Sequence, residues 1–414
     1  GKKVGVLERD RERGGLAGGF KVGNEVLEKF YHHWFNNDVE IFKLIEELGE
    51  NHNILLRPTR TGMYFSNQFF RLSTPLDLLK FDALPFFDRI RLGVAVLRAK
   101  SIKDWRKLEG LSAKEWLIDL CGQRAYDVVW DPLLVGKFGD VAEDVSAVWF
   151  WKKLVLRGGS RSSSGDEVLA YYKGGFAELA NRLGDAIVKL GGEIRLETSA
   201  VQIVTEGGTG KGVLTNAGLV SAENVIVTTA LPITADLLQE SAPAPFLEKL
   251  RRIRYLSNVC MVLSLDRSLS DTYWLNVNDP GFPYVGVIEH TNFEPPSSYG
   301  GRHIVYLSKY LPPHHAMYKM SDEELVEFSI PHLQKMFPEF DASWIQDVHV
   351  WRADYAQPIA EKHYSSIVPG RETPFPNVYV TTMAQVYPED RGTNYAVKEG
   401  RGLARQIIGK GSAQ

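Results

Sequence analysis

Cysteine is scarce in this sequence: Cys121 and Cys260 are the only two in 414 residues. Two thiols cannot supply a disulfide framework, and such usage predicts a reducing compartment, here the cytoplasm. Long apolar runs are missing too, and no stretch approaches the roughly 20 residues that cross a bilayer as a helix. Neither sign of charge dominates, since 48 Lys and Arg against 51 Asp and Glu leave a net charge of −3. A dedicated nucleic-acid binder usually shows a strong basic excess, so no nucleic-acid partner is expected. Metal-site spacings of His, Cys and acids are absent, as are local Ser or Cys nucleophile signatures, so no metal is expected. There is no internal repeat and no long run of like charge.

What is present is the composition of an ordinary globular chain, 44% hydrophobic and 24% charged, long enough for two or three domains. Residues 4–8, Val-Gly-Val-Leu-Glu, read as a short buried strand ending in an acid, followed by a polar, Gly-rich turn from Arg9 to Gly19. Helical spacing over 38–48 starts at Asp38 as N-cap and stops at Gly49. Tyr64-Phe65 and Phe69-Phe70-Arg71-Leu72 flank Ser-Asn as a hairpin. Residues 75–156 are mostly helical in pattern, with breaks at Pro85, Gly110 and Pro132. Within them, 86–98 is amphipathic, with Arg89, Arg91 and Arg98 among large apolar residues. It reads either as a core-facing helix with a basic outer side or as a segment lying on a membrane surface.

The stretch 158–166 is the most linker-like. A helix is expected over 177–190, and short strands at 193–196, 201–204, 212–215 and 225–229. A second sheet is expected from 257–265, 284–290 and 303–308. A helix over 321–336 opens on the capping box Ser321/Glu324, 377–381 reads as a buried strand, and 395–408 as a terminal helix. Strand and helix alternate near both ends around a mixed middle. That pattern implies an α/β domain assembled from separated segments, with a second domain inserted in two pieces.

The segment richest in chemistry is Val4–Glu8 followed by Gly14-Gly15-Leu16-Ala17-Gly18. An acid ending a parallel strand can accept both hydroxyl hydrogens of a ribose. A glycine doublet lets backbone N–H groups approach a pyrophosphate. The Gly-x-Gly-x-x-Gly turn that usually stands about 20 residues before such an acid is not found upstream of Glu8. In Tyr31-His32-His33-Trp34-Phe35, the histidines read either as proton carriers or anion ligands, or as an edge packed on aromatics. Lys137 reads as a substrate contact or a surface lysine. Trp351-Arg352, with Tyr355 and Pro358, reads as a wall of the site or as sheet packing, and His314-His315 as a solvated loop.

On these residues the chain resembles, nearly end to end, the flavin-containing amine oxidase superfamily, in its protoporphyrinogen oxidase-like, phytoene desaturase-like and UDP-galactopyranose mutase-like branch. Glu8 with Gly14-Gly15 matches the family's ribose acid and glycine doublet. Tyr172-Lys-Gly-Gly-Phe176 resembles the segment leading into a helix that returns to the flavin domain, and Asn377–Ala384 followed by Arg391–Ala396 resembles the strand, turn and helix beneath the isoalloxazine. The resemblance implies an α/β fold: a Rossmann-like FAD-binding domain, N-terminally truncated, with an inserted α+β substrate domain. It divides the chain into 1–45, 160–235 and 365–414 for FAD, and 46–159 and 236–364 for substrate.

FAD is the implied cofactor, held by Glu8, Gly14, Gly15, Leu16 and Ala17, by the backbone at Val201, and by Ala384, Gly392, Thr393, Asn394 and Tyr395. The family often has an arginine two residues after the acid. Asp10 stands there in this chain, so Arg9, Arg11 or Arg13 is the implied substitute. Leu16 occupies the place where amine oxidases proper usually have arginine, which moves the reading toward the desaturase-like and mutase-like branches. A helix beginning near Gly392 would aim its positive end at the flavin's N1–C2 edge, where negative charge develops on reduction. The family's first strand and turn would precede residue 1, so FAD binding by these 414 residues alone is expected to be weak.

The leading expectation is an FAD-dependent oxidoreductase taking a hydride equivalent from a sizeable small-molecule substrate, with His32 and His33 as candidate catalytic residues. A flavin-dependent nucleotide-sugar isomerase comes second. Its diphosphate would need an arginine set, for which Arg57, Arg60, Arg71, Arg302 and Arg352 are scattered candidates. A non-enzymatic escort protein of the same fold is third.

Overall fold

The computed structural model describes residues 2–23, 25–71, 75–157 and 167–411. The linker-like stretch 158–166 lies outside the described residues.

The largest sheet has seven strands. From edge to edge they are Ile345–Pro358, Tyr255–Leu265, His303–Leu311, Gly286–Glu289, Trp274–Val277, Thr61–Phe65 and Gln68–Arg71. Tyr255–Leu265 is buried at every residue but its first, which is why it reads as a nearly continuous apolar run between two antiparallel neighbours. The three strands expected for a second sheet therefore lie in one sheet. The 64–71 hairpin forms as the sequence predicts, with Ser66 and Asn67 both left-handed (φ 53° and 58°), as a two-residue turn between twisted strands requires.

Two separate two-stranded parallel sheets join distant segments. Gly5–Leu7 pairs with Glu193–Arg195, and Val225–Val227 with Val378–Val380. Ala200–Glu206, Thr209–Thr215 and Gly218–Ser221 form an antiparallel meander. Glu167–Tyr172 lies between Trp34–Phe35 and Ile54–Thr59 and ties the histidine segment to the rest.

The helices used below are α1 (Val39–Glu47), α2 (Phe86–Ser101), α3 (Asp131–Phe138), α4 (Ala147–Arg157), α5 (Phe176–Lys189), α6 (Asp322–Met336) and α7 (Thr393–Gly411). The capping box of α6 forms as read: Glu324 N donates to Ser321 Oγ at 3.2 Å, and Ser321 N donates to Glu324 Oε2 at 2.8 Å. Two expectations need correction. Pro132 does not break a helix. The helical run continues from Gln123 through Phe138, with a π turn at Tyr126–Trp130 just before the proline. Asp38 holds the N-cap position of α1 as read, but its side chain makes no cap bond; its Oδ2 accepts from Phe35 N at 2.9 Å.

The outer side of α2 carries the expected basic residues, with Arg91 and Arg98 exposed, together with an apolar stripe. The helix buries Leu92, Ala95 and Ala99, and presents Phe86, Phe87, Ile90, Val94 and Leu97 outward. Arg89 turns back to the carbonyls of Leu84 and Leu79, and Arg91 to that of Asp119. No helix among the described residues is long and apolar enough to cross a membrane. Both cysteines are free, buried thiols.

Candidate functional site

A cavity of about 350 Å³ opens where residues 30–35, α3, α4, the large sheet and the start of α7 meet. Its walls are aromatic: Trp130, Phe138, Trp149 and Phe150 on the helical side, Trp274 and Tyr310 on the sheet. Trp34 fixes the α7 end by donating its Nε1–H to Thr393 Oγ1 at 2.6 Å. Asn394 Oδ1 accepts from the N–H groups of Glu40 and Ile41 at 2.9 and 3.1 Å, so a side chain of α7 caps α1.

His32 and His33 both line the cavity. His32 Nδ1 lies 2.5 Å from the Phe30 carbonyl, to which it must donate, leaving Nε2 as acceptor. Burial lowers its pKa to about 4, so the ring is neutral at pH 7. His33 Nδ1 bonds Tyr273 OH at 3.0 Å. The Tyr31 phenol is pushed well above its ordinary range by burial and stays protonated.

The densest charge lies opposite. Asp390 accepts from Trp149 Nε1–H at 3.0 Å and pairs with Lys153. Burial would raise its pKa, but Lys153, Lys137 and Arg391 outweigh this and hold it at about 2. Arg391 donates from Nε to Gln357 Oε1 at 3.0 Å and from Nη2 to Tyr310 OH at 2.9 Å. Lys137 sits over Trp149 and Tyr310, with Nζ 4.8 and 5.1 Å from their ring centroids. Lys137 thus lines the cavity.

Of the residues named for the cofactor, Leu16, Gly392, Thr393, Asn394 and Tyr395 line this cavity. The others lie away from it. Glu8 ends the first strand, and its carboxylate accepts from Asp10 N at 2.9 Å. Gly14 and Gly15 (φ 110° and 54°) begin a turn continued by Ala17. Arg9 pairs with Asp10, and Arg13 lies along α5, bonded to the Asn181 carbonyl and Asp185. Val201 is exposed on the meander. Ala384 is buried, with its carbonyl bonded to Tyr364 OH.

Trp351 does not line the cavity; it packs on Phe20 and His349 beneath Lys29. Arg57, Arg60, Arg71, Arg302 and Arg352 do not line it either and pair with Glu294, Asp271, Asp77, Asp347 and Asp322. The sequence reading missed Lys153, Asp390, Gln357 and the side-chain role of Arg391. The run Trp149-Phe-Trp-Lys-Lys153 was the available signal, since cations interleaved with large aromatics are unusual in a buried helix.

The residues present fit a flavin. A Cβ at Gly14 would lie 3.1 Å from the Gly18 backbone, so that turn requires glycine. A Cβ at Gly15 would meet nothing within 4 Å, leaving an open backbone cradle beside Leu16. Thr393 and Asn394, which open α7, line the same cavity, while the N–H groups of Tyr395 and Ala396 donate to the Gly392 carbonyl at 3.0 Å.

The sequence profile of the flavin-containing amine oxidoreductase family matches residues 1–408. No curated protein matches the chain. Among solved structures, a protoporphyrinogen oxidase-like protein from Exiguobacterium sp. 255-15 superposes with a TM-score of 0.76 at 16% identity, covering 98% of this chain and 92% of that one. Putrescine oxidase bound to putrescine gives 0.68 at 17% identity, covering 98% and 93%. Reduced UDP-galactopyranose mutase gives 0.65 at 12% identity, covering 87% and 80%.

Proposed function

Because the chain belongs to the flavin-containing amine oxidoreductase family and is an FAD-dependent oxidoreductase, we propose that it oxidises a sizeable, largely apolar organic substrate by hydride transfer. The observation that carries this reading is one aromatic-walled cavity reaching from Leu16 and the N-terminus of α7 to Trp130 and Trp149. FAD, when bound, supplies the hydride acceptor. The chain's own residues supply the surroundings. The aromatic walls exclude water and orient a flat or extended substrate. Neutral His32 can take a proton at Nε2, and the start of α7 favours negative charge at its end of the cavity. The nucleotide-sugar isomerase reading has less support, because the five arginines weighed for a diphosphate are engaged elsewhere.

The same reading divides the chain into a cofactor part, 1–45, 160–235 and 365–414, and a substrate part, 46–159 and 236–364. It also takes the outward face of α2 as a contact with an anionic lipid surface. Phe86, Phe87, Ile90, Val94 and Leu97 form the apolar stripe, and Arg98, Lys103 and Lys107 follow its end.

The test is the visible spectrum of the full-length protein supplied with FAD. Flavin bands that bleach with dithionite under anaerobic conditions, and then with an oxidisable apolar substrate, are the expected result. A protein that takes up no flavin, or whose flavin no organic substrate reduces, contradicts the proposal.

A further inference from the structure

Two polar side chains stand together on the sheet wall of the cavity, each with one hydrogen-bonding position left over. Asn258 and Tyr310 are directly opposed on neighbouring strands, so both project from the same face of the sheet, and both line the cavity. Asn258 is only 2% exposed. Its Nδ2 donates to Ser308 Oγ at 3.0 Å, while its Oδ1 accepts from none of the described residues. A buried amide oxygen without a donor is costly, so a donor arriving through the cavity is favoured there. Tyr310 has the opposite need. Its hydroxyl oxygen accepts from Arg391 Nη2 at 2.9 Å, which leaves the hydroxyl hydrogen for another acceptor, and none of the described residues takes it. Arg391 is fixed in turn by Gln357 Oε1, to which its Nε donates at 3.0 Å, so the phenol is held in place from behind.

Resting on the oxidoreductase reading above, we infer that Asn258 and Tyr310 select the substrate: its apolar body carries a neutral hydroxyl group that accepts from Tyr310 O–H and donates to Asn258 Oδ1. A hydroxyl satisfies both residues at once, whereas an ether satisfies Tyr310 alone and leaves the amide oxygen unmet. The pair thereby fixes which end of a largely apolar molecule lies against the sheet, while the aromatic walls hold the rest.

Calorimetric titration of the full-length, FAD-supplied protein with 2-naphthol, 2-methoxynaphthalene and naphthalene tests this. The three probes share a ring system that carries a group able to accept and donate, a group that only accepts, or neither. Affinity is expected to fall in that order, by about three- to tenfold at each step, the size of one net hydrogen bond. Tyr310→Phe should erase the difference between methoxynaphthalene and naphthalene. Asn258→Leu should erase the difference between naphthol and methoxynaphthalene and keep the other. Loss of folding cannot mimic these selective changes, since it weakens all three probes together. Naphthalene binding as tightly as naphthol overturns the proposal. So do preferences that survive both substitutions, and so does failure of naphthol to bind protein whose spectrum shows flavin, which would assign the pair to the cofactor. Flavin content is read from the same samples, so a colourless protein contradicts the oxidoreductase reading separately, while the order of the three probes still judges the pair.

Discussion

Glu28 is the most constrained acid beside the cavity segment. Its carboxylate accepts from Phe176 N at 2.7 Å and from Tyr171 OH at 2.8 Å, while Tyr306 OH bonds its backbone carbonyl at 2.8 Å. Burial raises its pKa to about 7 from an ordinary 4.5, more than these bonds lower it. The folded protein therefore holds a proton that the unfolded chain releases between about pH 4.5 and 7. This contribution to stability is complete below pH 4.5 and is lost as pH rises through about 7. Glu28→Gln keeps an acceptor for Phe176 N–H and cannot ionise. Thermal melts of both proteins from pH 4.5 to 8 should show wild type losing stability relative to the variant by about 2–3 kcal/mol. Parallel pH curves would contradict the assignment. His32 works in the opposite sense: its pKa of about 4 makes folding lose stability as pH falls from 6.5, so the difference between wild type and variant is the quantity to read. None of this was legible in the sequence. Glutamate is usually exposed, and Tyr171 lies 143 positions away.

Local chemistry explains which elements could be read and which could not. The α6 cap depends on two residues three apart and was read correctly, as was the 64–71 hairpin. The α1 cap depends on Asn394, 354 positions from Glu40, so Asp38 was chosen as the nearest suitable residue. Likewise Asp390 and Lys153 meet only because α4 and the segment before α7 share a cavity wall. Asn394→Ala should lower stability by about 1–2 kcal/mol by stripping the acceptor from two α1 N–H groups. Asn394→Asp retains an acceptor and should recover most of that. Urea denaturation with an unchanged slope is the measurement, and an alanine variant as stable as wild type would remove the cap from the account of how α1 and α7 are held together.

At the scale of the molecule, two of the parallel pairs join segments nearly 190 and more than 150 residues apart, and alternation of strand and helix announced that discontinuity. The parallel placement of Thr61–Phe65 beside Trp274–Val277 was not announced, since neither strand's sequence names its neighbour. Exposure is the other property that only the whole molecule decides. Spacing alone left α2 with two readings, and packing settled which face is outward: Phe87 is 83% and Leu97 65% exposed, while Ala99 is fully buried. An apolar stripe of this kind, followed by Arg98, Lys103 and Lys107, suits an interface of acyl chains and anionic headgroups. The protein should float with vesicles containing phosphatidylglycerol, less with phosphatidylcholine alone, and less again as salt screens the basic residues. Phe87→Glu with Leu97→Glu places two charges on the exposed stripe without touching the buried face, so it should abolish flotation and leave the melting temperature nearly unchanged. Flotation that survives the double substitution would move the contact off α2, and a double variant that melts early would mean that these side chains pack against protein instead.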